Sequence, residues 1–207
     1  PSGDFSEPVT VTTKRFVKAF WALDASLAYS KHYPAINWLK SYSDYPDYII
    51  DWWQDQDIDW SEIELDWNEC RIQINEILSK ENELKNITQL IGEENLPEHQ
   101  QLIIFIANII KESFLIQNAF DEVDNYTSPK KLLAHIKIIL MLYQEAKDLI
   151  SQNFIIDDIK DFEVIDDIMR IGQNIPNDDY ERIGILKNQL LREIDSLKLT
   201  SGLLERK

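Results

Sequence analysis

Asp55, Asp57 and Asp59 in the stretch DQDIDW alternate as the first ligands of a calcium loop do. Such a loop turns on a glycine at its sixth position and closes with a bidentate glutamate at its twelfth. Trp60 and Asp66 stand there instead, so the stretch reads as a solvated acidic link before a helix. His32, His99 and His135 have no ligand spacing with one another or with Cys70. Each reads as a surface or rim histidine, and no metal site is expected. Cys70 falls on an apolar helical face and no Gly-x-Ser-x-Gly occurs, so nothing supports a nucleophilic enzyme. The pairs Asp157-Asp158, Asp166-Asp167 and Asp178-Asp179 are what a charge-rich helical surface produces, and none stands out as a general acid. No Gly-x-x-x-x-Gly-Lys-Ser/Thr phosphate cradle is present. No catalytic residue is therefore expected in this chain.

Three stretches are more distinctive. SKHYPAINWLKSYS, residues 30–43, sets Tyr33 directly before Pro34 and follows with Trp38. LIGEENLPEH, residues 90–99, encloses an acidic tip between Gly92 and Pro97. FLIQNAFDEVDNY, residues 114–126, carries Phe120 and Tyr126 among polar neighbours. Packing accounts for each in isolation, because aromatics at element ends usually pack. Tyr33 would be core, Phe120 a helix-end anchor, and the acidic tip a solvated turn.

The elements that must position these residues are mostly helices. Only 5 glycines and 7 prolines occur in 207 residues, which disfavours a turn-rich β-sandwich. PSGDFSEPVTVTTK has no apolar period and reads as loop, whereas RFVKAFWAL, 15–23, alternates and reads as a strand. A lone strand is unstable, so its sheet partners are expected outside this chain, which then looks like a fragment. Asp24 can cap a short helix over 25–31 that Pro34 ends. YPDYIIDWWQD can form another short helix. Ser61-x-x-Glu64 is a capping-box signature, followed by Ile63, Trp67, Cys70, Ile74, Ile77, Leu84, Ile87 and Ile91 on one face, with Gly92 as terminator. Pro97 opens a second long helix with Leu102, Ile103, Ile106, Ile109, Ile110 and Phe114 on its buried face. Ser128-Pro129 opens a third, carrying Leu132, Leu133, Ile136, Leu140, Tyr143, Ala146 and Ile150. A fourth is expected over 157–171 and a fifth over 178–198, with a frayed SGLLERK terminus. The fold class is thus mainly α: a helical bundle over 45–207, with 1–44 as the end of another domain.

Charge narrows the partners. With 37 acidic against 21 basic residues and a net charge of −16, the chain lacks the cations that phosphate binding needs. Nucleic acid is not expected as a partner, and an anionic membrane surface would repel it. The apolar run at 102–110 is interrupted by Asn108 and too short to span a bilayer. A single cysteine and no leader sequence suit a reducing compartment.

In order and spacing, GDFSEPVTVTTKRFVKAFWALDASLAYSKHYPAINWLKSYS (3–43), LIGEENLPEH and FLIQNAFDEVDNY together resemble the catalytic A subunit of V-type and A-type rotary ATPases. The resemblance covers nearly the whole chain and is strongest over 3–43 and 84–126. It implies a C-terminal fragment: the last strand and helix of a P-loop α/β nucleotide-binding domain, then a C-terminal helical bundle domain. It implies that Tyr33, before Pro34-Ala35, lines one side of an adenine pocket, and that Phe120, after Ala119, closes the other. Tyr126 is a further rim candidate. It implies that Glu93, Glu94, Asn95, Leu96, Pro97 and Glu98 form an elbow against a central stalk. Implied cofactors are ATP or ADP with Mg in the full-length subunit, with none bound by this fragment alone. Implied partners are non-catalytic B subunits in an alternating ring and the central stalk, on the cytoplasmic side and peripheral to the membrane. The function implied is coupling of ATP hydrolysis or synthesis to ion transport. Ser2-Gly3 replaces a usual glycine pair and Ile116 a common glutamine, which alters the loop near the nucleotide and the pocket rim. The phosphate loop, metal-binding hydroxyl and catalytic glutamate would lie upstream.

The rival reading is a stand-alone acidic helical adaptor that binds protein and no nucleotide. The orphan strand at 15–23 argues against it. An F-type β subunit disagrees with the Trp-rich 48–67 region, and a non-catalytic B subunit finds no support in the three stretches.

Overall fold

The computed structural model describes residues 7–55 and 65–204. Its elements run α1 (Pro8–Lys14), β1 (Ala19–Phe20), α2 (Ala25–Tyr29), β2 (Tyr42–Ser43), α3 (Ile50–Gln54), α4 (Trp67–Ile91), α5 (Glu98–Ile109), α6 (Pro129–Ser151), α7 (Ile156–Lys160), α8 (Val164–Met169), α9 (Ile171–Asn174) and α10 (Arg182–Leu204). Short 3-10 turns lie at Pro46–Tyr48, Glu93–Asn95 and Asn177–Asp179, and a π-helical turn at Ile110–Leu115 extends α5.

Helix α6 is the axis. The Ser128 hydroxyl accepts from the Lys131 amide and Pro129 occupies the first turn, the N-terminal chemistry that its sequence signals. Every residue from Leu133 to Leu142 is buried. A helix buried on all sides lies at the centre of a fold, and α4, α5, α8 and α10 pack around this one. Truncating one of its fully buried residues, such as Ile138→Ala, costs about 2–5 kcal/mol.

Helix α4 begins at a capping box formed by Asp66 and Glu69. The expected Ser61–Glu64 box lies outside the described residues, as does most of the alternating-aspartate stretch. Cys70, Ile74, Ile77 and Leu78 bury the first half of α4. Ile87 and Ile91, expected on that buried face, are exposed, because the last turns of the helix run past the core. The Trp53 ring stacks on Trp67 with centroids 4.1 Å apart, which docks α3 on the start of α4.

Four further expectations are corrected. Residues 8–14 are helical rather than loop, started by Pro8 in the first turn, so local context overrides the weak helix propensity of Val and Thr. The strand expected over 15–23 is only Ala19–Phe20, and it pairs antiparallel with Tyr42–Ser43 of this same chain. Its partner is therefore local, fixed by Phe20 stacking on Tyr42. The fourth helix is three short ones, α7, α8 and α9. The fifth starts at Arg182 and continues to Leu204, through residues expected to fray.

Candidate functional site

The turn that carries Tyr33 is held by Asp24. Its carboxylate accepts from the Ser26 amide at 2.8 Å, the Ser26 hydroxyl at 2.5 Å and the Asn37 amide group at 2.8 Å. Hydrogen bonds from the Ser26 and Asn37 side chains lower its pKa to about 2. Asn37 in turn accepts from the Leu39 and Lys40 amides and donates its own backbone amide to Ala22. The Ser41 hydroxyl donates to the Asn37 carbonyl and accepts from the Ala22 amide. The three hydroxyl residues at 41–43 thus serve the turn: Tyr42 also reaches back to the Val17 carbonyl, and Ser43 accepts from the Tyr45 amide. Tyr33 joins Pro34 through a cis peptide bond and is 53% exposed, its hydroxyl 3.4 Å from the Ala28 carbonyl. It is not a core residue.

Residues 116–128 form the facing loop. The Gln117 amide donates to the Tyr33 carbonyl at 2.8 Å, so the loop begins on the Tyr33 turn. Asp121 accepts from the Val123 and Asp124 amides, and these two bonds, the Asp124 one foremost, lower its pKa. Asn118 accepts from the Phe120 amide, and its own amide donates to Asp124 at 2.6 Å. At the far end, Asn177 donates to the Tyr126 carbonyl and accepts from the Ser128 amide. Phe120 is fully exposed at the tip. The full exposure of its ring excludes the helix-end anchor reading.

Behind the loop lies a cavity of about 390 Å³ lined by Pro34, Gln117, Asp124, Tyr126, Lys131 and His135 among others. Ile116 lines it too; Tyr33, Ala119 and Phe120 do not. The buried Lys131 ammonium donates to the Gly172 carbonyl at 2.9 Å. Burial pulls its pKa down while Asp124 and Asp121 oppose the shift. His135 is buried against Ser113, 3.2 Å away, and burial and Lys131 lower its pKa to about 3. It is thus a neutral core histidine rather than a surface or rim one. Sequence reasoning gave Lys131, His135 and Asp124 no part in a site. The available signal was a lysine and a histidine four apart, in helical register with Ile138 and Leu142.

His32 packs edge-on to Trp38, which Lys111 approaches from 5.8 Å while pairing with Glu81 at 2.8 Å. Burial lowers the His32 pKa, with Lys111 adding to the effect and Glu112 opposing it.

The elbow between α4 and α5 turns at Gly92, whose φ of 86° suits glycine. Leu96 is buried there at 6% exposure. Glu98 accepts from the Ile156 amide at 2.6 Å and Glu93 pairs with Lys160 at 3.4 Å. Glu94, Asn95 and Pro97 are the exposed residues of the elbow. Among the described residues no cluster of His, Cys, Asp and Glu could hold a metal ion, and no helix is long and apolar enough to cross a membrane.

Residues 56–160 match the family described as the C-terminal domain of V and A type ATP synthase. The chain belongs to that V- and A-type ATP synthase family. Residues 1–43 match the nucleotide-binding domain of the ATP synthase alpha/beta family. The A subunit of the A-type ATP synthase from Ignicoccus hospitalis is 45% identical over 199 residues, covering 95% of this chain and 32% of that protein. The V-type ATP synthase alpha chain of Halothermothrix orenii is 43% identical over 88% of this chain and 30% of its own length. The corresponding A subunit from Metallosphaera sedula is 40% identical over 98% of this chain and 33% of its own. The chain thus spans about a third of the length of these relatives. In this ATP synthase segment, the Tyr33 turn falls in the stretch matched to the nucleotide-binding domain and the Phe120 loop in the stretch matched to the C-terminal domain.

Proposed function

We propose that this chain is the C-terminal third of the catalytic A subunit of a V- or A-type rotary ATPase, and that Tyr33 and Phe120 flank the adenine of its ATP. The observation that carries this reading is the bond from the Gln117 amide to the Tyr33 carbonyl. It ties the turn bearing one exposed aromatic to the loop bearing the other. Adenine has two π faces, and aromatic rings hold a base by stacking. Pro34 fixes the turn behind Tyr33, and Ala119, exposed beside Phe120, leaves room for close approach. No phosphate loop lies in this sequence, so the phosphates and their Mg ion are held upstream, and this fragment alone does not hydrolyse ATP.

The domain boundary falls at 44/45, where the Asp24-held turn gives way to α3. ATP hydrolysis or synthesis in the intact subunit is coupled to ion transport. Closing on the base moves the helical domain relative to the nucleotide domain, a ligand-driven hinge closure. The elbow at Glu93–Glu98 passes that motion to the central stalk, and the exposed Glu94, Asn95 and Pro97 are the residues placed to touch it. Alternating B subunits complete the ring, and the assembly sits as a cytoplasmic head peripheral to the membrane.

The test is Phe120→Ala in the intact subunit. Stacking on one base is worth about 1–3 kcal/mol, so the KM for ATP is expected to rise at least about fivefold with the fold intact. An unchanged KM removes Phe120 from the base site.

A further inference from the structure

Phe120 is fully exposed, so nothing packed against its ring holds it. Its position must come from the backbone of the loop. Asn118 accepts from the Phe120 amide at 3.1 Å, closing a one-residue side-chain turn. The Asn118 amide is in turn held by Asp124 at 2.6 Å. Asp124 is only 6% exposed, and a buried carboxylate must be compensated. Its own amide is held by Asp121 at 2.9 Å. Its other oxygen lies only 2.9 Å from where a Cβ on Gly172 would stand, so the carboxylate sits against the α9 backbone. Lys131, anchored on the Gly172 carbonyl, supplies positive charge that interacts with the carboxylate. The chain of contacts therefore runs from the core, through one buried carboxylate, to the amide beneath the exposed ring.

We infer that Asp124 is the positioning residue that sets Phe120 in place, acting through Asn118, whose amide it holds and whose side chain holds the Phe120 amide, with Gly172 and Lys131 as its seat. Asp124 does not touch the nucleotide. Its contribution is to pre-order the loop so that less conformational freedom is lost when the base binds. The inference rests on the adenine reading above, which supplies what Phe120 is positioned for.

Five forms of the intact catalytic subunit in its assembled complex test it, each compared with wild type for KM and kcat in ATP hydrolysis: Phe120→Ala, Asp124→Ala, the two combined, Asp124→Asn and Asn118→Ala. Asp124→Ala is expected to raise the KM for ATP about fivefold or more, approaching Phe120→Ala, with the larger share of the loss in KM rather than kcat. Residues that act through one another are not additive, so the double variant should lose little beyond Phe120→Ala. Asp124→Asn, which keeps an acceptor oxygen for the Asn118 amide, should recover part of the loss. A double variant whose loss is the product of the two singles overturns the inference. So does a raised KM in Phe120→Ala alongside an unchanged one in Asp124→Ala, while leaving the adenine reading standing. An unchanged KM in Phe120→Ala overturns the adenine reading and the inference with it. If the Asp124 variants do not assemble, Asn118→Ala decides: the residue is exposed, and an unchanged KM there overturns the inference.

Discussion

The backbone amide of Gln117 donates to the backbone carbonyl of Tyr33 at 2.8 Å, across 84 residues of sequence and between stretches matched to two different domains. Neither side chain takes part, so the bond survives most substitutions at both positions. It fastens the Tyr33 turn to the start of the Phe120 loop at one point. The Gln117 amide lies outside any helix, and this bond is what shields it. Hydrogen exchange should find it protected well above the neighbouring Ala119 amide. Equal, fast exchange at both would mean that the two stretches separate readily in solution.

A side chain on Gly172 would crowd the Asp124 carboxylate. A Cβ there would stand 2.9 Å from the Asp124 carboxylate and 3.8 Å from the Ser113 carbonyl. Gly172→Ala is expected to destabilise the fold by about 1–3 kcal/mol through overpacking. Denaturant melts of wild type and variant measure this; an unaltered midpoint would show that Asp124 moves aside freely.

His135 makes the bundle sensitive to acid. Its folded pKa of about 3 lies below the ordinary 6.5, so the folded state disfavours the protonated form. The stability that follows is fully present above pH 6.5 and falls as pH drops toward 3, at up to about 1.4 kcal/mol per pH unit. His135→Gln should flatten the pH dependence of unfolding across that window. A variant whose slope matches wild type would assign the acid sensitivity to other groups.

The elbow is braced unequally. Glu98 holds the Ile156 amide with a charged acceptor at 2.6 Å, a class of bond worth about 1.5–3 kcal/mol. Lys160 and Glu93 are about a third exposed and 3.4 Å apart, a class worth about 0–1 kcal/mol. Glu98→Ala should therefore lower stability clearly more than Lys160→Ala in urea titrations. The reverse order would make α7 an ion-paired support rather than a hydrogen-bonded one.

Isolated residues 1–207 should bind Mg-ATP with a Kd weaker than about 1 mM. Stacking on two faces yields about 2–6 kcal/mol, most or all of which an association cost of about 4–15 kcal/mol cancels. Calorimetry measures this directly, and micromolar affinity would place phosphate-binding groups in this fragment.

The sequence by itself determined the helical class and the starts of α5 and α6. Ser128-Pro129 opens α6 as read, and Gly92 and Pro97 bound the elbow, because caps and helix breakers act within one turn of chain. It also determined the family, through the order of three short stretches. Asp24 was legible as a cap for the same local reason. Other features depended on distant residues. Period alone could not show that Ile87 and Ile91 lie beyond the reach of the core, nor that Phe20 pairs with Tyr42 of its own chain. Lys131 and His135 read as ordinary polar positions on a helix. They are buried because α6 is surrounded on every side, and their partners Gly172 and Ser113 come from elsewhere in the chain. The Tyr33–Gln117 bond has no side-chain signature at all. Backbone groups are identical at every non-proline position, so only the tertiary packing decides which of them meet.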